Sequence, residues 1–150
     1  MAKSGIKNLE GFKKKLKKRL DDNTKKELKR LVGRSASLVA QTAIDSIAEG
    51  NKTGRVYSRG NRTKPHVASA PGEPPATDQG KLAGGITFKV DLEKDEIVGQ
   101  VLSNSDGQSP YGVHLEFGTT NILPRPFMQP ALEKNRPRIK RIFKDGDYLD

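Results

Sequence analysis

The chain has 150 residues, of which 33% are hydrophobic and 31% are charged, and its formal net charge is +10. This length allows one modest hydrophobic core, and the polar composition favours a subunit that buries more surface against neighbours. The absence of cysteine excludes disulfide bridges, thiol nucleophiles and zinc sites built on thiolates. No stretch reaches the roughly 20 apolar residues of a membrane span, so we expect a protein that stays where it is made.

The positive charge is distributed unevenly along the chain. Residues 1–50, 51–75 and 125–150 carry net charges of +7, +4 and +3, whereas residues 76–124 carry −4. This polarity suits a subunit that stacks between unlike partners or faces nucleic acid, and it does not choose between them.

Two helices are predicted in the first third of the chain. Residues 1–22 combine apolar positions at three- and four-residue spacing with basic residues elsewhere, which indicates a basic amphipathic helix. Asp21-Asp22-Asn23 interrupts the pattern, and Thr24-Lys25-Lys26-Glu27 has the form of a capping box. A second helix is therefore predicted over 24–49, as the spine of a single domain that spans 23–150.

Residues 51–75 predict a long arm within that domain. They are rich in Gly, Pro, Ser, Asn and basic residues and have few apolar groups. We expect the arm to be mobile in the isolated subunit and ordered in an assembly. The lysine-rich cluster at 13–19 could bind DNA phosphates but fits a solvated helix face better. Four cations of the arm are the better candidates for DNA contact: Arg55, Arg59, Arg62 and Lys64.

The middle of the chain predicts a β-hairpin. After a short helical turn around 78–83, apolar and polar residues alternate over 86–92, and a second strand is predicted over 97–102. A two-stranded hairpin needs a partner for its apolar side, and the long helix provides one. The predicted fold class is therefore α+β, with long N-terminal helices packed on a small antiparallel sheet.

The last third of the chain predicts two helical segments. Residues 111–117 alternate as a strand would, but Ser109-Pro110 is a good helix start, and we favour a short helix. Residues 131–143 have helical spacing, and Pro137 is expected to break or kink that helix.

The sequence contains little material for catalysis. His66, His114 and Glu116 are the only candidates for a metal or acid–base site, and they have no ligand spacing. We therefore expect no metal, no cofactor and no catalytic residue, and we interpret the chain as a protein that is not an enzyme. Glu116 is expected to pair with a cation such as Arg125.

Two stretches resemble the tail-component family of long-tailed bacteriophages, which includes neck, head–tail joining and tail-completion proteins. The first is Ala70-Pro71-Gly72-Glu73-Pro74-Pro75, followed by Gly80-Lys81-Leu82. The second is Glu116-Phe117-Gly118-Thr119, followed by Arg125-Pro126-Phe127-Met128-Gln129-Pro130-Ala131. The resemblance covers roughly residues 30 to 136, and the order and separation of the two parts make it specific.

The resemblance implies a structural virion protein that forms a homo-oligomeric ring in the head–tail connector, around the DNA passage. Its partners would be a stopper or adaptor protein, the tail terminator or tail tube, and phage DNA, with no membrane. The protein would reside in the virion, and in the host cytoplasm during assembly. The alternative is a basic protein that binds nucleic acid without sequence specificity, as the charge would also allow.

Three residues are candidates for the contact between subunits. Pro124 and Pro126 fix the backbone on both sides of Arg125, so the guanidinium extends from a stiff segment. Phe127 would be an apolar anchor, either in the next subunit or in the subunit's own core. Arg125, Phe127 and Glu116 form the predicted interface set.

Overall fold

The computed structural model describes residues 9–58, 60, 65–78, 80–93, 96–103 and 111–145. The elements are α1 (Leu9–Glu49), β1 (Val56–Tyr57), β2 (His66–Val67), α2 (Lys81–Gly84), β3 (Ile86–Glu93), β4 (Glu96–Ser103), α3 (Tyr111–Phe117) and α4 (Met128–Asp145). Within these residues, β1 pairs with β2 and β3 pairs with β4, both antiparallel, in two separate sheets. The α+β fold class, the hairpin and the short helix at 111–117 are confirmed.

The N-terminal third contains one helix where two were expected. α1 has 41 residues, so at 1.5 Å per residue it is about 62 Å long. Aspartate and asparagine cost only about 0.7 kcal/mol each in a helix, and no Gly or Pro lies between residues 12 and 32. The capping box does not form either, because Thr24 lies in the interior of α1 and has no free helix end to cap. The Glu27 carboxylate instead accepts a hydrogen bond from Arg30 at 2.7 Å. The helix therefore continues through Asp21-Asp22-Asn23.

The hydrophobic core lies where the second half of α1 meets α4, α3 and the β3–β4 sheet. It consists of Val39, Ala40, Ala43, Ile47, Leu82, Ile86, Leu115, Phe127 and Ala131. Residues 13–30 of the same helix are exposed throughout. No helix of the described ranges has an apolar stretch that would cross a bilayer.

The β3–β4 sheet packs its apolar face against α1. Val90 pairs with Gly99 at the middle of the hairpin. A Cβ at position 99 would lie 2.8 Å from Val32 Cγ1, so glycine allows the strand to approach the helix closely. The register then places Ile86, Phe88 and Leu92 on the same sheet face as Val90.

α4 continues through Pro137, where a break or kink was expected. A proline in a helix interior costs about 3 kcal/mol because it removes a hydrogen bond and crowds the preceding turn. Core contacts hold the helix on both sides, with Ala131 before the proline and Ile142 after it. In addition, Asn135 Nδ2 donates a hydrogen bond to Thr42 Oγ1 of α1 at 2.8 Å.

The arm at 51–75 is folded back on itself at its base. Gly54 N–H donates to Ala68 O at 2.9 Å, next to the β1–β2 pairing. The Glu73 carboxylate accepts hydrogen bonds from the Thr53 hydroxyl at 2.6 Å, from the Thr53 N–H at 2.9 Å and from the Ala70 N–H at 2.8 Å. These bonds, the Thr53 hydroxyl foremost, hold the pKa of Glu73 below its ordinary value.

Candidate functional site

The two halves of the second motif meet in a tight turn between α3 and α4, here called the signature turn (residues 115–129). α3 ends at Phe117, and Gly118 adopts a left-handed φ of 77°. A Cβ at Gly118 would lie 2.7 Å from Ile122 O, so both the backbone conformation and the space require glycine. Thr119 N–H closes the turn with a 2.8 Å hydrogen bond to Ile122 O.

Glu116 connects the two motif segments directly. Its carboxylate accepts hydrogen bonds from the backbone N–H groups of Phe127, Met128 and Gln129, at 2.8, 3.0 and 2.9 Å. These N–H groups belong to the start of α4, where a helix has no internal acceptors. Glu116 therefore caps α4 from a distance of eleven residues and places a negative charge at the positive end of its dipole.

Arg125 ties the same turn to the arm. Its N–H donates to Leu115 O at 2.6 Å, and its guanidinium Nε donates to Ser69 O at 3.2 Å. Gly72 N–H donates to Pro124 O at 2.9 Å. The expected ion pair between Arg125 and Glu116 is absent, because backbone groups occupy both side chains. The pairing of Glu116 with Arg125 that was expected from the sequence is therefore wrong.

Phe127 lies in the core of its own subunit. Its side chain is 1% exposed and packs in the main cluster. Glu116 is 9% exposed, and its carboxylate is committed to α4. Phe127 therefore occupies the core of its own subunit, which is one of the two places expected for it, and the Glu116 carboxylate is used within the subunit. A contact between subunits through Arg125, Phe127 and Glu116 stays a prediction.

An open apolar groove of about 740 Å³ runs beside the signature turn, between α1, β4, α3 and α4. Its lining includes Val32, Val39, Val101, Phe117, Leu132 and Phe143. Phe117 is 72% exposed, and three other large apolar lining residues are also exposed: Val113, Leu132 and Phe143. The Ser103 hydroxyl, which also lines the groove, has no hydrogen-bond partner among the described residues. The groove thus leaves apolar surface uncovered in the single chain.

A row of cations flanks this groove on α4. Arg136, Lys140 and Lys144 are exposed and recur every four residues. At 100° per residue, Arg136 and Lys140 lie about 40° and 80° from Leu132 around the helix, on the outer flank of the stripe formed by Leu132 and Phe143, and Lys144 lies farther round. The structure gives these three cations no salt bridge within the described ranges. We call them the basic ridge.

The remaining predicted residues do not assemble into a site. Arg55 is exposed, with its guanidinium 5.6 Å from the centroid of the Tyr57 ring, whereas Arg59, Arg62 and Lys64 lie outside the described residues. His66 Nδ1 lies 4.0 Å from Asp78 Oδ1, and His114 lies on α3. In the part of the chain that is described, no three His, Asp or Glu side chains converge as metal ligands do.

The groove and its basic ridge were not identified from the sequence. The spacing of Leu132, Ile139 and Phe143 contains part of the pattern, since Arg136 stands directly beside this apolar helical stripe. The arrangement as a whole can hold a helix start, a turn and an arm in fixed positions, and it presents an apolar surface edged by cations. Comparison of the chain with protein-family models, curated proteins and solved structures found no match.

Proposed function

We propose that the chain is a structural subunit of the head–tail connector of a tailed bacteriophage, without enzymatic activity. The observation that carries the proposal is the signature turn. Glu116 and Phe127, which belong to the two separated motif segments, are joined by a 2.8 Å hydrogen bond from backbone to carboxylate. The motif residues cap a helix, reverse the chain and fill the core. These are structural roles, and they suit a family whose members build an assembly.

The uncovered groove supports association of the subunits. Its exposed apolar residues are costly in water, and exposed apolar patches of this kind mark surfaces that bind other proteins. In the proposed ring, the arm faces the DNA passage, and Arg55, Arg59, Arg62 and Lys64 contact phosphates without reading the sequence. A stopper or adaptor protein would bind one face of the ring, and the tail terminator or tail tube the other.

One observation favours the alternative function, a basic nucleic-acid-binding protein. Residues 10–30 of α1 carry ten basic and four acidic residues, and their side chains from residue 13 onward are exposed. The two functions differ in whether the positive charge of α1 is needed for the activity. If nucleic-acid binding is the main role, a monomer or dimer should bind DNA with a steep salt dependence, and Lys13→Glu with Lys17→Glu should weaken binding at least tenfold. A connector subunit should assemble into a ring whether DNA is present or not.

Deletion of the coding sequence from the phage genome that carries it tests the proposed function. Filled heads and finished tails should accumulate separately in electron micrographs, and supply of the chain from a plasmid should restore joined particles. Joined, infectious particles in the absence of the chain would overturn the proposal.

A further inference from the structure

The groove sets two requirements for any segment that covers it. Its large apolar side chains are uncovered, with Phe117 72% and Phe143 44% exposed, so an occupant needs apolar side chains of its own. Its border along α4 is cationic, because residues 134–144 contain six basic residues and no acidic residue. The basic ridge therefore favours an occupant that also carries carboxylates.

Residues 146–150, which lie outside the described residues, meet both requirements. They read Gly-Asp-Tyr-Leu-Asp, so an apolar pair, Tyr148 and Leu149, stands between two aspartates. They follow α4 directly, and α4 ends two residues after Phe143, which lines the groove. Five extended residues span at most about 17 Å, which is enough to return to Phe143. Gly146 suits such a reversal, because glycine directly after a helix readily adopts a left-handed conformation.

The other segments outside the described residues do not fit the groove. Residues 1–8 carry two lysines and no acidic residue, and they span at most about 28 Å. Leu9 lies about 35 Å along α1 from Val32, which is the first groove-lining residue of that helix. The remaining segments contain no large apolar side chain: residues 59, 61–64, 79, 94–95 and 104–110.

We propose that residues 146–150 pack across the end of the groove at Phe143 in their own chain, with the apolar pair on the lining and the two aspartates beside the basic ridge. The short covalent link gives the segment an effective concentration in the millimolar range, which favours it over the same segment of a second copy. The segment then covers part of the groove, and a neighbouring protein that uses this part must displace it. This inference goes beyond the proposed function and does not depend on it.

A disulfide test locates the segment, because the chain has no cysteine of its own. Val32→Cys with Leu149→Cys places one thiol in the groove and one in the segment. In oxidised glutathione, most molecules should form an intrachain disulfide, since the two sulfur atoms reach bonding distance only when the segment lies in the groove. Arg30→Cys with Leu149→Cys is the matched control, because position 30 lies on the opposite side of α1 at 100° per residue. The control should form the disulfide at least tenfold more slowly.

Two outcomes of this test would overturn the proposal. Equal rates for the two pairs would show that the segment does not prefer the groove. A disulfide between chains would assign the segment to a second copy. If the Val32→Cys chain does not melt at the wild-type temperature, Ile139→Cys takes its place, with Arg138→Cys on the far side of α4 as its control.

A charge swap tests the contact with the basic ridge. Asp147→Lys with Asp150→Lys should slow the disulfide between positions 32 and 149 at least tenfold at low salt. Adding Arg136→Glu with Lys140→Glu should restore the rate, because it reverses the charge of the ridge. Adding Arg138→Glu with Arg141→Glu, on the far side of α4, should not. Restoration by both pairs, or by neither, would overturn the contact.

Discussion

The two halves of α1 form one continuous helix in very different surroundings. Residues 31–49 have their apolar face in the core, with Ala43 and Ile47 fully buried. Residues 13–30 are exposed, and Leu16 and Leu20 stand on them 48% and 59% exposed. Tertiary packing stabilises residues 31–49. Residues 13–30 depend on the helix propensity of their own side chains and on continuing a helix that the packed half has already nucleated.

Local ion pairs contribute little to the exposed half. Lys13 lies 3.4 Å from Glu10, and Arg30 lies 2.7 Å from Glu27, both at a spacing of three residues. Both pairs are solvent-exposed, and water and salt screen exposed pairs of this kind, so they stabilise the helix only weakly. The difference between the halves therefore predicts that changes in the packed region will affect the stability of the fold, and that changes in the exposed region will not.

The largest effect is expected at Phe127, which packs against the buried half of α1. Phe127→Ala should lower the free energy of unfolding by about 3–5 kcal/mol, because it removes a fully buried ring and leaves a cavity. Chemical denaturation measures this change. Phe117→Ala is the matched control, because its ring is 72% exposed and its loss should change stability by less than about 0.5 kcal/mol. Equal losses for the two would contradict the assignment of the core.

A slightly smaller loss is expected at Glu116. Glu116→Ala leaves three N–H groups at the start of α4 without their acceptor, which should cost about 2–3 kcal/mol. Glu116→Gln keeps one acceptor oxygen and should cost less. Glu133→Ala, an exposed glutamate in α4, should have little effect in the same thermal melts. A neutral Glu116→Ala variant would refute the capping role.

Gly118→Ala tests the turn that joins α3 to α4. Its left-handed φ and the short distance to Ile122 O predict a loss of about 1–2 kcal/mol. Gly84→Ala provides the comparison, since a Cβ there would meet nothing within 4 Å and alanine favours the helical conformation. Melting temperatures of the two variants should move in different directions, or at least differ by several degrees.

Glu73, at the base of the arm, is expected to change stability less than the substitutions above, because its side chain is partly exposed. Its contribution should depend on pH. Its pKa is lower in the folded chain than in the unfolded chain. The contribution of Glu73 is therefore present above the pKa of the unfolded chain and is lost as the pH falls through the lowered pKa. The difference in melting temperature between the wild type and Glu73→Gln should shrink over that acidic interval. A difference that grows on acidification would contradict the hydrogen bonds at Thr53 and Ala70.

The smallest effect is expected on the exposed half of α1. Leu20→Ala should change the free energy of unfolding by less than about 0.5 kcal/mol, since alanine is a good helix former and no packing is lost. Ile47→Ala on the same helix should cost about 2–5 kcal/mol. Similar costs at the two positions would show that residue 20 is buried in solution, and would break the comparison between the halves.

Sequence patterns predicted the helices and strands whose formation is determined by residues close to each other in the chain. The alternation from Ile86 onward predicted β3 and β4 to within one residue at each end, and the helix predicted over 24–49 ends where α1 ends, at Glu49. Asp21-Asp22-Asn23 misled the prediction, because a weak local preference cannot end a helix without a partner for its free backbone groups.

The site was less predictable, since its contacts are not local. The partners of Glu116 lie eleven to thirteen residues away, and that of the Arg125 side chain lies 56 residues away. Sequence reasoning paired Glu116 and Arg125 on charge alone, whereas both side chains bond to the backbone. The groove arises only when four elements meet, so no single stretch of sequence contains it.

The hydrogen bond between Asn135 and Thr42 joins residues 93 positions apart, and it connects the two helices that enclose the core. During synthesis, α1 therefore leaves the ribosome long before the helix that covers its apolar face has been translated. The chain cannot complete its core until α4 emerges, so the last step of folding follows the synthesis of almost the whole chain.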